Sequence, residues 1–175
     1  MKKKGIYIIA EIGVNHNGNL HLAKKMIVEA KKCGADAVKF QSFKAEKLAS
    51  KFTPKVKYQI KNTKKKETHY EMLKKLELNN KQIKYLFNFT KKKGLDFIST
   101  PYDVESAKFL SKIGVKIFKT ASADLSDFFL HKYLSKINKT VIISTGMSNF
   151  KDINNCLNLY PKKNQKKIVL LHCVS

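Results

Sequence analysis

Phe97-Ile98-Ser99-Thr100-Pro101, the segment from Asp103 to Gly114, and Lys116-Ile117-Phe118-Lys119-Thr120-Ala121-Ser122-Ala123-Asp124 together decide how the fold is read. A short apolar run ends in two hydroxyls and a proline. Asp103 then opens a helical pattern in which Val104, Ala107, Leu110 and Ile113 share one face until Gly114 stops it. A second short apolar run follows at once and ends in polar residues again. Strand, polar tip, helix, strand is the unit of a parallel sheet whose strands are buried on both faces.

The same unit recurs on either side. Ile6–Ala10 runs into Glu11-Ile12-Gly13-Val14-Asn15-His16, and Ala37-Val38 into Lys39-Phe40-Gln41. Val141–Ile143 ends in Ser144-Thr145-Gly146-Met147, and Ile168–Leu171 ends in His172-Cys173. Between these runs lie helices. Leu22, Met26, Ala30 and Cys33 recur behind Asn17-Gly18-Asn19 and stop at Gly34. Asn79 and Gln82 form a capping box before Ile83, Leu86, Phe87 and Thr90, with Gly94 as stop. Leu130, Tyr133, Leu134 and Ile137 mark the next, ended by Asn138, and Ile153, Cys156, Leu157 and Tyr160 the last, stopped by Pro161. The expected fold is α/β, of the (β/α)8 TIM-barrel type. Such a barrel takes roughly 250 residues. A single domain over residues 1–175 that breaks off after its sixth strand is therefore expected, a partial barrel truncated at its C-terminal side. From Ser42 to about Leu78 an insertion interrupts the rhythm, with a weak helical pattern at Tyr70, Leu73 and Leu76. It is expected on the active-site side, as part of a substrate lid or as a plain surface excursion.

The formal net charge of +23 would ordinarily point to nucleic acid. All 36 basic residues are lysines, however, and nucleic-acid readers rely on the planar fork of arginine. The lysines are scattered over every helix, so they are read as a solvated surface, with no nucleic-acid partner. Cys33, Cys156 and Cys173 show no metal or redox spacing, and Cys33 and Cys156 are expected on apolar helix faces. With no signal peptide and no apolar run of membrane length, a cytoplasmic protein without a membrane partner is expected.

Chemistry is sought at the strand tips. Glu11 serves either acid–base work and a substrate hydroxyl or a structural ion pair with a neighbouring strand lysine. Asn15, His16 and Asn17 form a polar turn that can simply cap the first helix. Lys39 and Lys119 each end an apolar run, and two ammonium groups in one mouth repel unless an anion lies between them. A phosphate or carboxylate ligand is the first reading and a Schiff-base lysine the second, with a plain salt bridge to Glu11 or Asp124 as the third. Thr100, Ser122 and Ser144, the last with Thr145-Gly146 behind it, add hydroxyls and backbone amides suited to a small oxyanion. Asp124 is a base, a group that orients water, or a cap for a helix beginning near Ser126. His172 is a substrate or metal contact or a packing residue.

Glu11-Ile-Gly-Val-Asn-His-Asn-Gly18, Val38-Lys-Phe-Gln-Ser-Phe-Lys44, Tyr58-Gln-Ile-Lys-Asn-Thr63, Ile98-Ser-Thr-Pro101, Ile143-Ser-Thr-Gly-Met147 and Leu170-Leu-His-Cys173 resemble, in order and interval, the sialic acid synthase family of N-acetylneuraminate and legionaminic acid synthases. The resemblance implies a (β/α)8 barrel that condenses phosphoenolpyruvate with an open-chain N-acetylated hexosamine, N-acetylmannosamine or a relative. The product is a nine-carbon 2-keto sugar acid, with phosphate released. It implies Lys39, Thr100, Lys119, Ser122 and Ser144 as the phosphoenolpyruvate set with Gln41 beside them, Glu11 as the sugar-contacting carboxylate, and Asp124 near the reacting centre. Glu11, Asp124 and Lys119 are thus the catalytic candidates, and Lys39, Gln41, Thr100, Ser122, Ser144 and His172 the substrate-binding ones. The family also implies a divalent metal, manganese or magnesium, in the complete enzyme, with ligands on later strands. A C-terminal antifreeze-like domain and a homodimer complete the family picture. Ser122-Ala-Asp124 stands where many members have Ser-Gly-Glu, a carboxylate one methylene longer. An isolated chain of this length is expected to be poorly stable and inactive. The alternatives are another phosphoenolpyruvate-dependent synthase, a Schiff-base aldolase, or a non-catalytic anion-binding fragment.

Overall fold

Six strands pair in chain order into one parallel sheet: β1 (Ile9–Gly13), β2 (Ala37–Ser42), β3 (Asp96–Pro101), β4 (Ile117–Thr120), β5 (Thr140–Ser144) and β6 (Ile168–Leu171). The computed structural model describes residues 5–55, 60 and 67–174. The strands alternate with α1 (Leu20–Lys32), α2 (Ala45–Leu48), α3 (His69–Leu76), α4 (Asn80–Lys92), α5 (Val104–Ile113), α6 (Phe128–Leu134), α7 (Phe150–Asn158) and α8 (Lys162–Gln165). A 3-10 turn, Ser122–Asp124, follows β4.

Side chains alternate along a strand, and the two faces of this sheet meet different partners. Val38, Phe40, Phe97, Phe118, Val141 and Ile143 pack outward against Ile27, Leu86, Leu110, Leu130, Leu134 and Cys156 of the helices. Phe97 stacks on Phe40 at 5.3 Å and meets Phe87 edge-on at 5.7 Å. Each fully buried side chain of this size contributes about 1.5–3 kcal/mol. The other face carries a smaller cluster: Ile9, Ala37, Ile98, Ile117 and Ile142, one from each of the first five strands. Two residues beyond each, and so on the same face, stand Glu11, Lys39, Thr100, Lys119 and Ser144. The polar groups form the next layer above an apolar one.

Helix ends fall where the sequence marks them. The Asn79/Gln82 capping box opens α4, whose buried face is Ile83, Leu86, Phe87 and Thr90. Asp103 caps α5, and Gly114 ends it at φ 99°. The α1 stripe is centred beside the one read above: Ala23 and Ile27 are its buried residues, and Met26 and Ala30 pack partly buried against the same core. Cys33 is the exposed residue just past the end of α1, so of the two helix-face cysteines only Cys156 is buried. β1 begins at Ile9 rather than Ile6, and Ile6 and Ile8 are exposed. Pro161 does not end the helical chain: it starts α8, the extra turn before β6.

The insertion is tied down by charge. Glu77 accepts from Lys44 (2.8 Å), the Ala45 backbone N–H (3.0 Å) and Lys74 (3.2 Å), and Lys74 also reaches Glu46. Glu67 holds Lys55 and Lys75. Tyr70, Leu73 and Leu76 lie on α3, whose Thr68/Glu71 capping box fixes its start. The insertion also packs against the β1–α1 turn. A Cβ on Gly18, at φ 72°, would lie 2.2 Å from the Lys75 carbonyl oxygen, so only glycine fits this approach. The Tyr58–Thr63 motif lies, apart from Ile60, outside the described residues.

Candidate functional site

At the end of β1 the register against β2 shifts between Glu11 and Gly13, and Gly13 takes φ 54°. That bend sets Glu11 beside the end of β2, where its carboxylate pairs with the Lys39 ammonium. The structural alternative for Glu11 is therefore present: the pair exists, half exposed on its carboxylate side and nearly closed on its lysine side. The Gln41 amide lies next to Gly13 and Gln41 stands level with Thr100 across the ladder, so Gln41 and the buried Thr100 border the same strand ends.

Lys119 is different. It is buried, and its ammonium donates to the Thr120 carbonyl (2.8 Å) and to the Ser144 hydroxyl. Burial pulls its pKa down, and the Lys39 charge pulls it further, while Cys173, Glu11 and Asp124 act the other way. Lys39 and Lys119 stand on the same face of the sheet, near the carboxyl ends of β2 and β4. An anion placed there would relieve their repulsion.

Asp124 closes the 3-10 turn after β4. Asp127, not Asp124, caps the following helix, through a 3.0 Å bond from the Leu130 N–H. Asp124 is thus released from the capping role, and its Oδ2 is buried without a hydrogen-bond partner. Burial pushes its carboxyl up to about 6; a backbone bond from Ala121 opposes the push, Asp127 adds to it and Lys119 opposes it. Ser122 accepts from the Gly146 N–H (3.1 Å), which ties the turn after β4 to the turn after β5. That backbone amide is used inside the protein.

Two residues of the sequence reading sit apart. His16 is buried and accepts from the Gly18 N–H at 3.0 Å, and burial lowers its pKa against the opposing Gly13 backbone, so it shapes the β1–α1 turn while Asn19 caps α1. His172 is exposed and lines a concavity beyond β6 with Leu170, Phe150 and Ile153. Its neighbour Cys173 comes to the strand ends instead, with Sγ 3.5 Å from the Ser144 Oγ. Strand parity gives the reason and could have found it: Leu171 stands level with Ser144, and Cys173 is two residues on.

Tyr102 was also missed. It follows β3, packs edge-on against Phe43 and is partly buried. Burial pushes its phenol up to about 12, with Asp124 and Glu11 adding to the shift. It therefore stays protonated at neutral pH. Among the described residues no group of three or more His, Cys, Asp and Glu side chains could hold a metal ion. The lysines and hydroxyls of the strand ends suit an anion.

A parallel α/β protein that gathers lysines, hydroxyls and carboxylates at the carboxyl ends of its strands is of the class that handles small anionic ligands there. Comparison with known proteins narrows this. The NeuB family profile matches residues 26–175, and the chain belongs to the NeuB family. It is 46% identical over 174 residues to the N,N'-diacetyllegionaminic acid synthase of Campylobacter jejuni, covering 98% of this chain and 52% of that protein. It is 40% identical to the synthase of the same name from Legionella pneumophila, covering 97% and 49%. The N-acetylneuraminic acid synthetase of Leptospira borgpetersenii, solved in complex with citrate, superposes with a TM-score of 0.83 at 32% identity, covering 97% of this chain and 54% of that one. The chain spans about half the length of the curated relatives it matches. Among the described residues no helix is long and apolar enough to cross a membrane.

Proposed function

We propose that the protein is a sialic-acid-type synthase that joins phosphoenolpyruvate to an open-chain N-acetylated hexosamine. Carbon 3 of phosphoenolpyruvate attacks the sugar aldehyde, water adds at carbon 2, and phosphate leaves with cleavage of the carbon–oxygen bond. Three carbons and six give the nine-carbon 2-keto acid. The observation that carries this reading is the pair of lysines on one sheet face at the strand ends, one of them buried and, among the described residues, without a carboxylate partner. Lys39 and Lys119 neutralise the phosphate and carboxylate, and Thr100, Ser122 and Ser144 supply short hydroxyl donors. Glu11 is half exposed and reaches a sugar hydroxyl. Asp124, poised at about 6, exchanges a proton with the water that adds at carbon 2. The six-stranded sheet is taken as part of a (β/α)8 barrel, and a homodimer in the cytoplasm accompanies this reading. The manganese or magnesium implied by family resemblance finds no ligand set among the described residues, and no step here passes through it.

The buried, pKa-depressed Lys119 favours one second reading, a Schiff-base aldolase acting through that amine. One assay separates them. Phosphoenolpyruvate labelled with heavy oxygen at the bridging position is incubated with the protein and N-acetylmannosamine. A hexosamine with two N-acetyl groups is run beside it, because the two bacterial synthases are named for a diacetylated product. Heavy oxygen in the released phosphate is the expected result. Unlabelled phosphate, or covalent capture of pyruvate on Lys119 by borohydride, would overturn it.

A further inference from the structure

We propose that Cys173 is a positioning residue of the anion seat, holding the Ser144 hydroxyl so that its proton points at the bound phosphate or carboxylate. The role rests on the anion-binding reading of the site. The geometry starts from Lys119, whose three N–H groups are partly committed: one to the Thr120 carbonyl at 2.8 Å and one to the Ser144 Oγ. A serine hydroxyl has one proton and two acceptor positions. The Lys119 ammonium takes one acceptor position, and the Cys173 thiol approaches the other at 3.5 Å. With both positions filled from inside the protein, the hydroxyl proton has to point outward, beside the third N–H of Lys119. Two donors, one neutral and one charged, then converge on the same oxygen of the ligand.

The thiol is itself placed by the strand, two residues beyond Leu171, the β6 residue level with Ser144. The Leu171 carbonyl oxygen, also 3.5 Å from Sγ, already accepts from the Thr145 N–H (3.2 Å) and the Thr145 hydroxyl (2.9 Å), so the single thiol proton is left for Ser144. The outer flank of Cys173 is open: it lines the concavity beyond β6 with Thr145, Met147 and His172. A small electrophile can therefore reach it, whereas Cys156 is buried and Cys33 lies at the far end of α1.

The test compares wild type with Cys173→Ala and Cys173→Ser for inhibition by inorganic phosphate and for KM toward phosphoenolpyruvate and toward the sugar. Losing one bridging hydrogen bond predicts a loss of about three- to tenfold in phosphate and phosphoenolpyruvate affinity for Cys173→Ala. The KM for the sugar stays the same, and Cys173→Ser restores affinity because its hydroxyl is the stronger donor. Equal phosphate affinity in wild type and Cys173→Ala would overturn the role of Cys173 while leaving the anion site standing. A wild type blind to both phosphate and phosphoenolpyruvate would overturn the site and this role together. A second measurement needs no variant. Iodoacetamide labelling of the wild type, read by peptide mass, should slow at Cys173 and not at Cys33 when inorganic phosphate is added. Equal slowing at both cysteines, or none at Cys173, counts against it.

Discussion

The insertion and the strand ends both gather charged side chains and treat them in opposite ways. In the insertion, the nearly closed carboxylates of Glu77 and Glu67 each meet more than one lysine. At the strand ends, among the described residues, Lys119 is bonded only to a carbonyl and a hydroxyl, and one oxygen of Asp124 is buried without a partner. A buried charge that the protein leaves unmatched lowers stability unless something else meets it. The first arrangement is a structural clamp. The second is a site prepared for a ligand of opposite charge, with Lys39 and its partner Glu11 on the border between the two cases.

The sharpest way to break this comparison is to remove one cation from each region. Lys119→Met should weaken phosphoenolpyruvate binding by about 100-fold, close to the ~2.7 kcal/mol of a lost charged contact. It should leave the melting temperature unchanged or raise it, because a methionine in that place needs no ion partner. Calorimetric titration and thermal melts decide it: a large stability loss in Lys119→Met would make the lysine structural. Glu77→Ala should behave in reverse. It strands Lys44 and the Ala45 N–H and leaves Lys74 with Glu46 alone, and about 2 kcal/mol of stability goes with them. Phosphoenolpyruvate affinity should stay within about twofold. A Glu77→Ala variant that melts like the wild type would show that the clamp contributes little.

Much of the architecture was readable because local signals agreed with one another. The Asn79/Gln82 box, the Gly114 stop and the apolar runs each point to the same unit, and the sheet order follows the chain. Lys39 and Lys119 stood out for a physical reason: a charge at the end of a buried strand has to face the one side where water or ligand can reach it. What stayed hidden depends on parity and on through-space contact. The α1 face was displaced by one residue because Leu22 and Ala23 are both apolar, and only packing against the sheet chooses Ala23. His172 drew notice as a histidine, while the alternation of β6 sends Cys173 to Ser144. Tyr102 carries no motif at all; burial raises its phenol first, and Asp124 and Glu11, after two other strands, add to the shift. Asp124 was open to the reading of a helix cap until the structure gave that task to Asp127.

The smallest expected effect is in the pH dependence of stability, and it sharpens the comparison because two buried groups act with opposite sign. The Asp124 carboxyl is raised to about 6, so between its ordinary value and 6 the folded protein binds more protons than the unfolded one. Stability therefore falls as pH rises through that window, and the penalty is complete above it. Asp124→Asn should remove the penalty, a gain on the order of 1–2 kcal/mol at neutral pH once partial solvent screening is allowed for. His131 works the other way. It is fully buried, 2.9 Å from the Tyr160 hydroxyl, and burial lowers its pKa while the Asp124 backbone and Asp127 oppose this. The unfolded chain then takes the extra proton, so stability is complete above the ordinary histidine value and is lost as pH falls below it. Denaturant unfolding of wild type, Asp124→Asn and His131→Gln between pH 4 and 8 separates the two. The Asn variant should gain mainly at pH 7 and above, and the Gln variant should flatten the acid side. If Asp124→Asn gained nothing at pH 7, its carboxylate would already be satisfied in the folded protein, and the distinction between clamp and prepared site would be lost at that residue.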